Sequence, residues 1–219
     1  MSFRRKVLIT GASRGIGKAI LESFTEKNFY LVGTATSEDG IKSIDEVISS
    51  KNSSGKGIIL DLNDDESLEN FFTYIKENDL YPDILINNAG FTKYNIFLRM
   101  KDDEWSDVIN VHLNAQFKII KNLIKPMLKN KFGRIINLSS AAAAIGNKGQ
   151  ANYVAAKSGI EAMSKTLARE FGLKNITVNC VAPGFIDTDM TEKLDGDYKN
   201  LVATQIPLQR FGKTEEVAD

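Results

Sequence analysis

Six short apolar runs rich in β-branched residues punctuate this 219-residue chain, at 6–10, 30–33, 57–60, 84–87, 134–138 and 176–182. Between them apolar residues recur three or four apart, as in Ile16/Ile20/Phe24, Leu68/Phe71/Phe72/Ile75, Trp105/Val108/Ile109, Phe117/Ile120/Leu123 and Ile160/Met163/Leu167. That spacing puts each set on one face of a helix. Strands that are apolar throughout must be covered on both faces, and helices alternating with them supply the cover. The expected fold is α/β, a doubly wound parallel sheet of six strands with helices on both faces. A chain this long builds a large core without disulfides or a structural metal. Residues 49–55 read as a surface turn between a helix and a strand, too short for a linker, so 1–219 is expected to form a single domain.

Lys plus Arg and Asp plus Glu stand at 28 each, so bulk charge points to neither nucleic acid nor a membrane surface. The one cysteine, Cys180, excludes an intrachain disulfide framework and fits a reducing compartment. Its place in an apolar run suggests packing rather than nucleophilic chemistry. Residues 1–6 lead straight into the apolar 7–9, with no signal-peptide stretch, and no apolar segment approaches bilayer length. A cytoplasmic protein without a metal site is expected. Near the end, Thr214 resembles an N-cap, with Glu215 and Glu216 suited to a first helical turn. A helix that starts four residues before Asp219 suggests a fragment of a longer chain.

Directly after the first run comes Thr10-Gly11-Ala12-Ser13-Arg14-Gly15-Ile16-Gly17. Glycines between a strand and a helix let the backbone turn tightly and approach a pyrophosphate, whose charge then sits at the helix N-terminus. A dinucleotide on a Rossmann-type sheet is expected. The second run ends Gly33-Thr34-Ala35-Thr36-Ser37, with no carboxylate before Glu38. An acidic side chain there accepts from the ribose hydroxyls of NAD and repels a 2′-phosphate. Hydroxyls at Thr36 and Ser37 with Arg14 nearby favour NADPH/NADP+, while capping of the next helix by the same hydroxyls is a compatible second reading. Tyr153 and Lys157 are four apart and share a helix face. A free phenol titrates near ~10, too high for an efficient proton relay. A neighbouring ammonium and an oxidised nicotinamide are expected to lower it, about three units requiring ~4 kcal/mol.

The spacing Thr-Gly-x-x-x-Gly-x-Gly resembles the short-chain dehydrogenase/reductase family, and further motifs follow in the family's order. Asp61-Leu62 follows the third run, Asn87-Asn88-Ala89-Gly90 the fourth, Ser140 the fifth, then Tyr153-Val154-Ala155-Ala156-Lys157, and Pro183-Gly184 follows the sixth. The resemblance covers nearly the whole chain. It implies cofactor contacts in the glycine loop at Gly11, Ser13, Arg14, Gly15, Ile16 and Gly17, and at Thr36, Asp61 and Leu62 beside adenosine. Asn88, Ala89, Gly90, Pro183, Gly184, Ile186 and Thr188 are implied as further contacts, together with Tyr153 and Lys157. In the family's mechanism the tyrosine protonates a carbonyl oxygen, the lysine also holds the ribose, and a serine polarises the carbonyl. Family spacing selects Ser140 rather than Ser139. One departure stands out: in His112-Leu113-Asn114-Ala115-Gln116-Phe117, the chain's only histidine occupies the position of an asparagine that holds a relay water. Three readings of His112 stand: it replaces the asparagine in the relay, it partly disables the relay, or it only fills space. An imidazole can also titrate near neutrality.

Longer stretches resemble one branch of that family, the bacterial 3-oxoacyl-[acyl-carrier-protein] reductases. They are Gly33-Thr34-Ala35-Thr36-Ser37-Glu38, Leu98-Arg99-Met100-Lys101, Gly146-Asn147-Lys148-Gly149-Gln150-Ala151-Asn152-Tyr153, and the nine residues 182–190. This implies NADPH-dependent reduction of a 3-oxoacyl thioester on acyl carrier protein, an acidic partner. Lys131 and Lys174 match basic positions at the rim of the cleft, with charge kept but the bidentate fork of arginine lost. Alternatives are an acetoacetyl-CoA or other carbonyl reductase, and a non-catalytic cofactor-binding subunit. The resemblance also implies a homotetramer with a contact through 103–128 and 153–172. Its seventh strand would lie beyond 219, and lack of it would weaken the tetramer and leave the sixth strand an open edge.

Overall fold

Each apolar run becomes a strand and each run of helical period a helix, in strict alternation. The computed structural model describes residues 4–25, 28–192 and 196–219. In chain order the elements begin β1 (Arg5–Ile9), α1 (Gly15–Thr25), β2 (Phe29–Ala35), α2 (Glu38–Ser50), β3 (Ser54–Ile59), α3 (Asp65–Glu77) and β4 (Ile84–Asn87). There follow α4 (Asp102–Ile109), a π-helical turn over Asn110–Asn114, α5 (Ala115–Asn130), β5 (Gly133–Leu138), the short α6 (Ala142–Ile145), α7 (Ala151–Phe171) and β6 (Ile176–Val181). Three short helices close the chain: α8 (Asp189–Glu192), α9 (Gly196–Gln205) and α10 (Glu215–Ala218).

All six strands are parallel, in the order β3-β2-β1-β4-β5-β6. Successive side chains of a strand point to opposite faces, and the core divides accordingly. Leu8, Val32, Leu85 and Ile135 pack with Leu68, Phe71, Ile75, Ile119 and Leu123 from α3 and α5. Val7, Ile9, Leu31 and Ile86 pack with Ile20, Leu21, Ile44 and Ile48 from α1 and α2. From β1 the chain winds outward to β3, then returns to β4 beside β1 and winds the other way. That reversal opens a crevice at the carboxyl ends of β1 and β4, where open α/β sheets bind ligands.

Three local expectations need correction. The turn expected at 49–55 is mostly regular structure: α2 runs to Ser50 and β3 starts at Ser54. Pairing of Ser54 and Gly55 with Tyr30 and Leu31 uses only backbone groups, so polar side chains do not prevent it. Trp105 and Phe117 lie on helices as expected but outside the core, 39% and 49% exposed. Thr214 stands at the N-cap of α10 in helical conformation (φ −60°, ψ −35°) without a capping side-chain bond; its hydroxyl meets Glu215 instead. The helix start is held by Glu216, which accepts from Arg210 at 2.6 and 2.8 Å and from the Lys213 amide at 2.7 Å.

Candidate active site

The glycine loop, Asp61-Leu62, Asn88–Gly90, Ser140 and Pro183-Gly184 each follow the carboxyl end of a strand. The glycine loop leaves β1 and enters α1, whose first turn carries no acid, whereas α2, α3 and α4 each carry two or more there. Asn88 braces the loop, donating from Nδ2 to the carbonyls of Thr10 and Gly11 at 2.9 and 3.0 Å. Thr10 Oγ1 in turn accepts from the amides of Asn88 and Ala89, both at 3.0 Å. The turn is closed so tightly at Gly17 that a Cβ there would lie 2.0 Å from the Gly11 carbonyl oxygen. A short turn ending on an acid-free helix start, with Arg14 79% exposed beside it, fits a pyrophosphate.

The remaining cofactor candidates divide into those facing the loop and those spent on structure. Thr188 crosses over the glycine loop, its methyl 3.6 Å from where a Cβ of Gly15 would stand. Asp189 pairs with Arg14 at 3.4 Å. Pro183 accepts at its carbonyl from the Ala141 amide at 2.9 Å, nothing lies within 4 Å of a Cβ on Gly184, and Ile186 bridges to Gly212. Thr36 is exposed at the end of β2, while Ser37 caps α2, accepting from the Gly40 amide at 3.2 Å. The capping reading therefore holds for Ser37. Asp61 accepts from the Asn63 amide at 2.8 Å, forming an Asx turn two residues past β3, and Leu62 is packed in the core. Ile16 packs beside the α1–α2 core, and Ser13 accepts at its carbonyl from Ser43 at 3.4 Å.

Ser140, Tyr153 and Lys157 converge where β5 ends against α7. The Ser140 hydroxyl accepts from the Ala142 amide at 3.2 Å and lies near enough to the Tyr153 phenol to act on its pKa. Lys157 is 3% exposed; its Nζ donates to the Leu138 carbonyl at 2.5 Å and stands 5.5 Å from the centre of the Tyr153 ring. Burial raises the Tyr153 pKa above 10.0, opposed by the Ser140 hydroxyl. Desolvation is the leading cause, while the Lys157 ammonium is turned to the Leu138 carbonyl. Burial likewise lowers Lys157 from 10.5 to about 8, the Cys180 thiol acting the other way. At neutral pH the tyrosine is therefore a protonated acid.

His112 lies inside the π-helical turn Asn110–Asn114, a feature that often marks functional sites. It is 2% exposed and meets the Tyr153 ring edge-on, centroids 5.1 Å apart at 83°. Its Nε2 lies 2.6 Å from the Phe91 carbonyl and 3.2 Å from the Phe91 amide, so both backbone groups of Phe91 hold the ring. Nδ1 is buried without a hydrogen-bond partner among the described residues. Gly90 makes room for the ring: a Cβ there would fall 2.1 Å from His112 Cε1. Burial first, then the Lys157 charge, lower its pKa from 6.5 to about 3. Titration near neutrality is corrected by this geometry; the imidazole stays neutral.

Lys131 and Lys174 do not stand at this cleft. They precede β5 and β6, whereas Ser140 follows β5, so roughly 20 Å of strand separates them from it. Several residues escaped the sequence reading. Asn137 joins Asn87 and Ser164 in a buried ladder, at 2.8 Å on each side. Asn152 donates to the carbonyls of Lys93 and Glu104 at 3.2 and 2.8 Å, tying the start of α7 to the segment after β4 and to α4. A polar residue inside an apolar strand was the available signal for Asn137; Asn152 offered none. Cys180 is only partly buried, its Sγ 3.1 Å from Ser164 Oγ. Among the described residues no cluster of His, Cys, Asp and Glu could hold a metal, and no helix is long and apolar enough to cross a membrane.

Comparison with known proteins agrees with this geometry. A profile of the family described as short chain dehydrogenase matches residues 5–199. The chain is 47% identical over 219 residues to the 3-oxoacyl-[acyl-carrier-protein] reductase of Pseudomonas aeruginosa, covering all of this chain and 89% of that protein. It is 46% identical to the protein of that name from Salmonella typhimurium, over 100% of this chain and 88% of the relative. Against the Escherichia coli protein of the same name the identity is 44%, over 100% and 89%. With the glycine loop, the braced Asn88 and the Tyr153/Lys157 helix in place, the chain belongs to the short-chain dehydrogenase family, and it is an oxidoreductase.

Proposed function

We propose that residues 1–219 act as one NAD(P)-binding catalytic domain that reduces 3-oxoacyl-[acyl-carrier-protein] to the 3-hydroxyacyl form with NADPH. The observation that carries this is the meeting of Ser140, Tyr153 and Lys157 at the carboxyl end of β5. Relatives bearing that activity in their names, 44–47% identical along the whole chain, support the substrate class. The glycine loop and the α1 start hold the pyrophosphate, with Asp61, the backbone near Leu62, Asn88–Gly90 and 183–188 around the rest of the cofactor. Thr36 and the guanidinium of Arg14 take the 2′-phosphate. When bound, NADPH supplies the hydride that reaches the carbonyl carbon.

The protein's residues handle the oxygen. Ser140 donates a hydrogen bond to the 3-oxo group, and Tyr153, kept protonated by burial, gives its phenolic proton as negative charge develops. Lys157, lowered to about 8, stands ready to restore that proton and to hold the ribose. His112 serves as a fixed neutral group beside both. In a pair of copies packed antiparallel through α5 and α7, Lys131 and Lys174 would serve the neighbour's cleft and meet an acidic carrier protein there. The exposed Phe97, Leu98, Trp105 and Phe117 are suited to contacts between copies in a homotetramer. A cytoplasmic location accompanies this reading. The test is turnover of acetoacetyl thioesters on carrier protein and on coenzyme A. A clear preference in kcat/KM for the carrier-linked form is expected; preference for coenzyme A would favour an acetoacetyl-CoA reductase, and binding of NADPH without turnover a non-catalytic subunit.

A further inference from the structure

The exit of β5 and one face of α7 meet in three consecutive rungs. Leu138 accepts at its carbonyl from Lys157 Nζ at 2.5 Å. Ser139 donates from its hydroxyl to Glu161 Oε1 at 2.6 Å, with the Lys157 carbonyl at 3.4 Å. Ser140 lies beside the Tyr153 phenol and acts on its pKa. On the helix the partners are Tyr153, Lys157 and Glu161, each about one turn beyond the last, so they form a row on one face. Two rungs end on groups that the proposed reaction uses. The third ends on groups it does not.

We infer that Ser139 and Glu161 are positioning residues whose hydrogen bond sets the register of α7 against the β5 exit, so that Ser140 and Tyr153 face the same carbonyl oxygen. Ser139 is held from two sides: its amide donates to the Val181 carbonyl at 2.7 Å, and its hydroxyl, 4% exposed as a residue, is committed to the Glu161 carboxylate. A hydroxyl–carboxylate bond of this length is among the stronger hydrogen bonds in proteins. Tyr153 and Glu161 are eight residues apart, about 12 Å along the helix. The start of α7 is tied by Asn152, and Ser158 donates to the Ala143 carbonyl at 3.1 Å. The Glu161 rung anchors the row beyond the lysine, and slippage there is carried to Tyr153 because a helix moves as a rod.

This inference rests on the reading of Ser140 and Tyr153 given above, and the experiment separates the two. Ser139→Ala, Glu161→Ala, their double variant, Glu161→Gln and Ser140→Ala are compared in NADPH oxidation with an acetoacetyl thioester, alongside NADPH binding and thermal unfolding. Misplacement of reacting groups by about 1 Å can cost ~100-fold, so both alanine variants should lose about tenfold or more in kcat, with KM and binding of NADPH little changed. Glu161→Gln keeps an acceptor and should restore most of the rate. The double variant should be no slower than the slower single one, because one bond is broken only once. Unchanged kcat in Ser139→Ala overturns the positioning role, as do losses that multiply in the double variant or merely follow lost NADPH binding. Those outcomes leave the reading of Ser140 standing; full activity in Ser140→Ala would overturn both.

Discussion

Replacing Lys157 by Met should abolish turnover yet stabilise the fold. Its ammonium is buried at 3% exposure with the Leu138 carbonyl as its hydrogen-bond partner, and burial lowers its pKa from 10.5 to about 8. The unfolded chain binds a proton at this site up to pH 10.5, the folded chain only up to about 8. Between those values stability rises with pH, and below them the fold carries a constant cost. At 1.36 kcal/mol per pH unit that cost is about 3 kcal/mol. A methionine of similar length removes it but leaves the Leu138 carbonyl without its donor, a loss of about 1 kcal/mol. Urea unfolding of the cofactor-free proteins at pH 7 should therefore favour Lys157→Met by about 2 kcal/mol. The gap should close as pH rises from 8 to 10.5. A variant less stable than the parent at pH 7, or a gap indifferent to pH, would contradict a buried ammonium that costs the fold stability.

Three further outcomes follow from the same geometry. Gly17→Ala drives a methyl into the Gly11 carbonyl oxygen and Asn88 Nδ2, 2.0 and 2.5 Å away; a destabilisation of about 1–3 kcal/mol is expected, with NADPH affinity falling by fluorescence titration. His112, with a folded pKa of about 3, should add no limb to the kcat profile near pH 6.5. As pH falls below 6.5 the unfolded chain takes up a proton that the fold refuses, so stability drops; His112→Asn should lessen that drop in acid-unfolding curves and leave the rate profile unchanged near neutrality. Arg14→Ala should lower kcat/KM for NADPH about tenfold or more, the scale of a charge-assisted hydrogen bond, and change kcat/KM for NADH far less.

Much of this was legible in sequence because backbone demands leave marks on residue type. The glycine loop, the strand alternation and the Tyr153/Lys157 spacing each follow from local geometry, and the structure assembles them at one sheet edge. What was not legible depended on partners distant in sequence. Ser139 reads as a spare serine beside Ser140 until Glu161, 22 residues on, is brought against it. The burial that raises the Tyr153 pKa and lowers that of His112 depends on packing, which composition does not show. Lys131 and Lys174 could be matched by resemblance, yet only strand direction reveals that they lie at the opposite end of the sheet from Ser140. β3 began early because ladder pairing ignores side-chain polarity.

In the proposed reaction Tyr153 delivers the proton to a 3-oxo group reduced by NADPH. Steady-state NADPH oxidation with acetoacetyl-[acyl-carrier-protein], in the parent and in Tyr153→Phe, measures it most directly when NADPH binding is followed on the same samples. The phenylalanine keeps the ring packed against His112 but has no transferable proton. The parent should give 3-hydroxyacyl product, and the variant normal NADPH binding with kcat reduced about 100-fold or more. Near-normal turnover in Tyr153→Phe would contradict proton delivery by Tyr153.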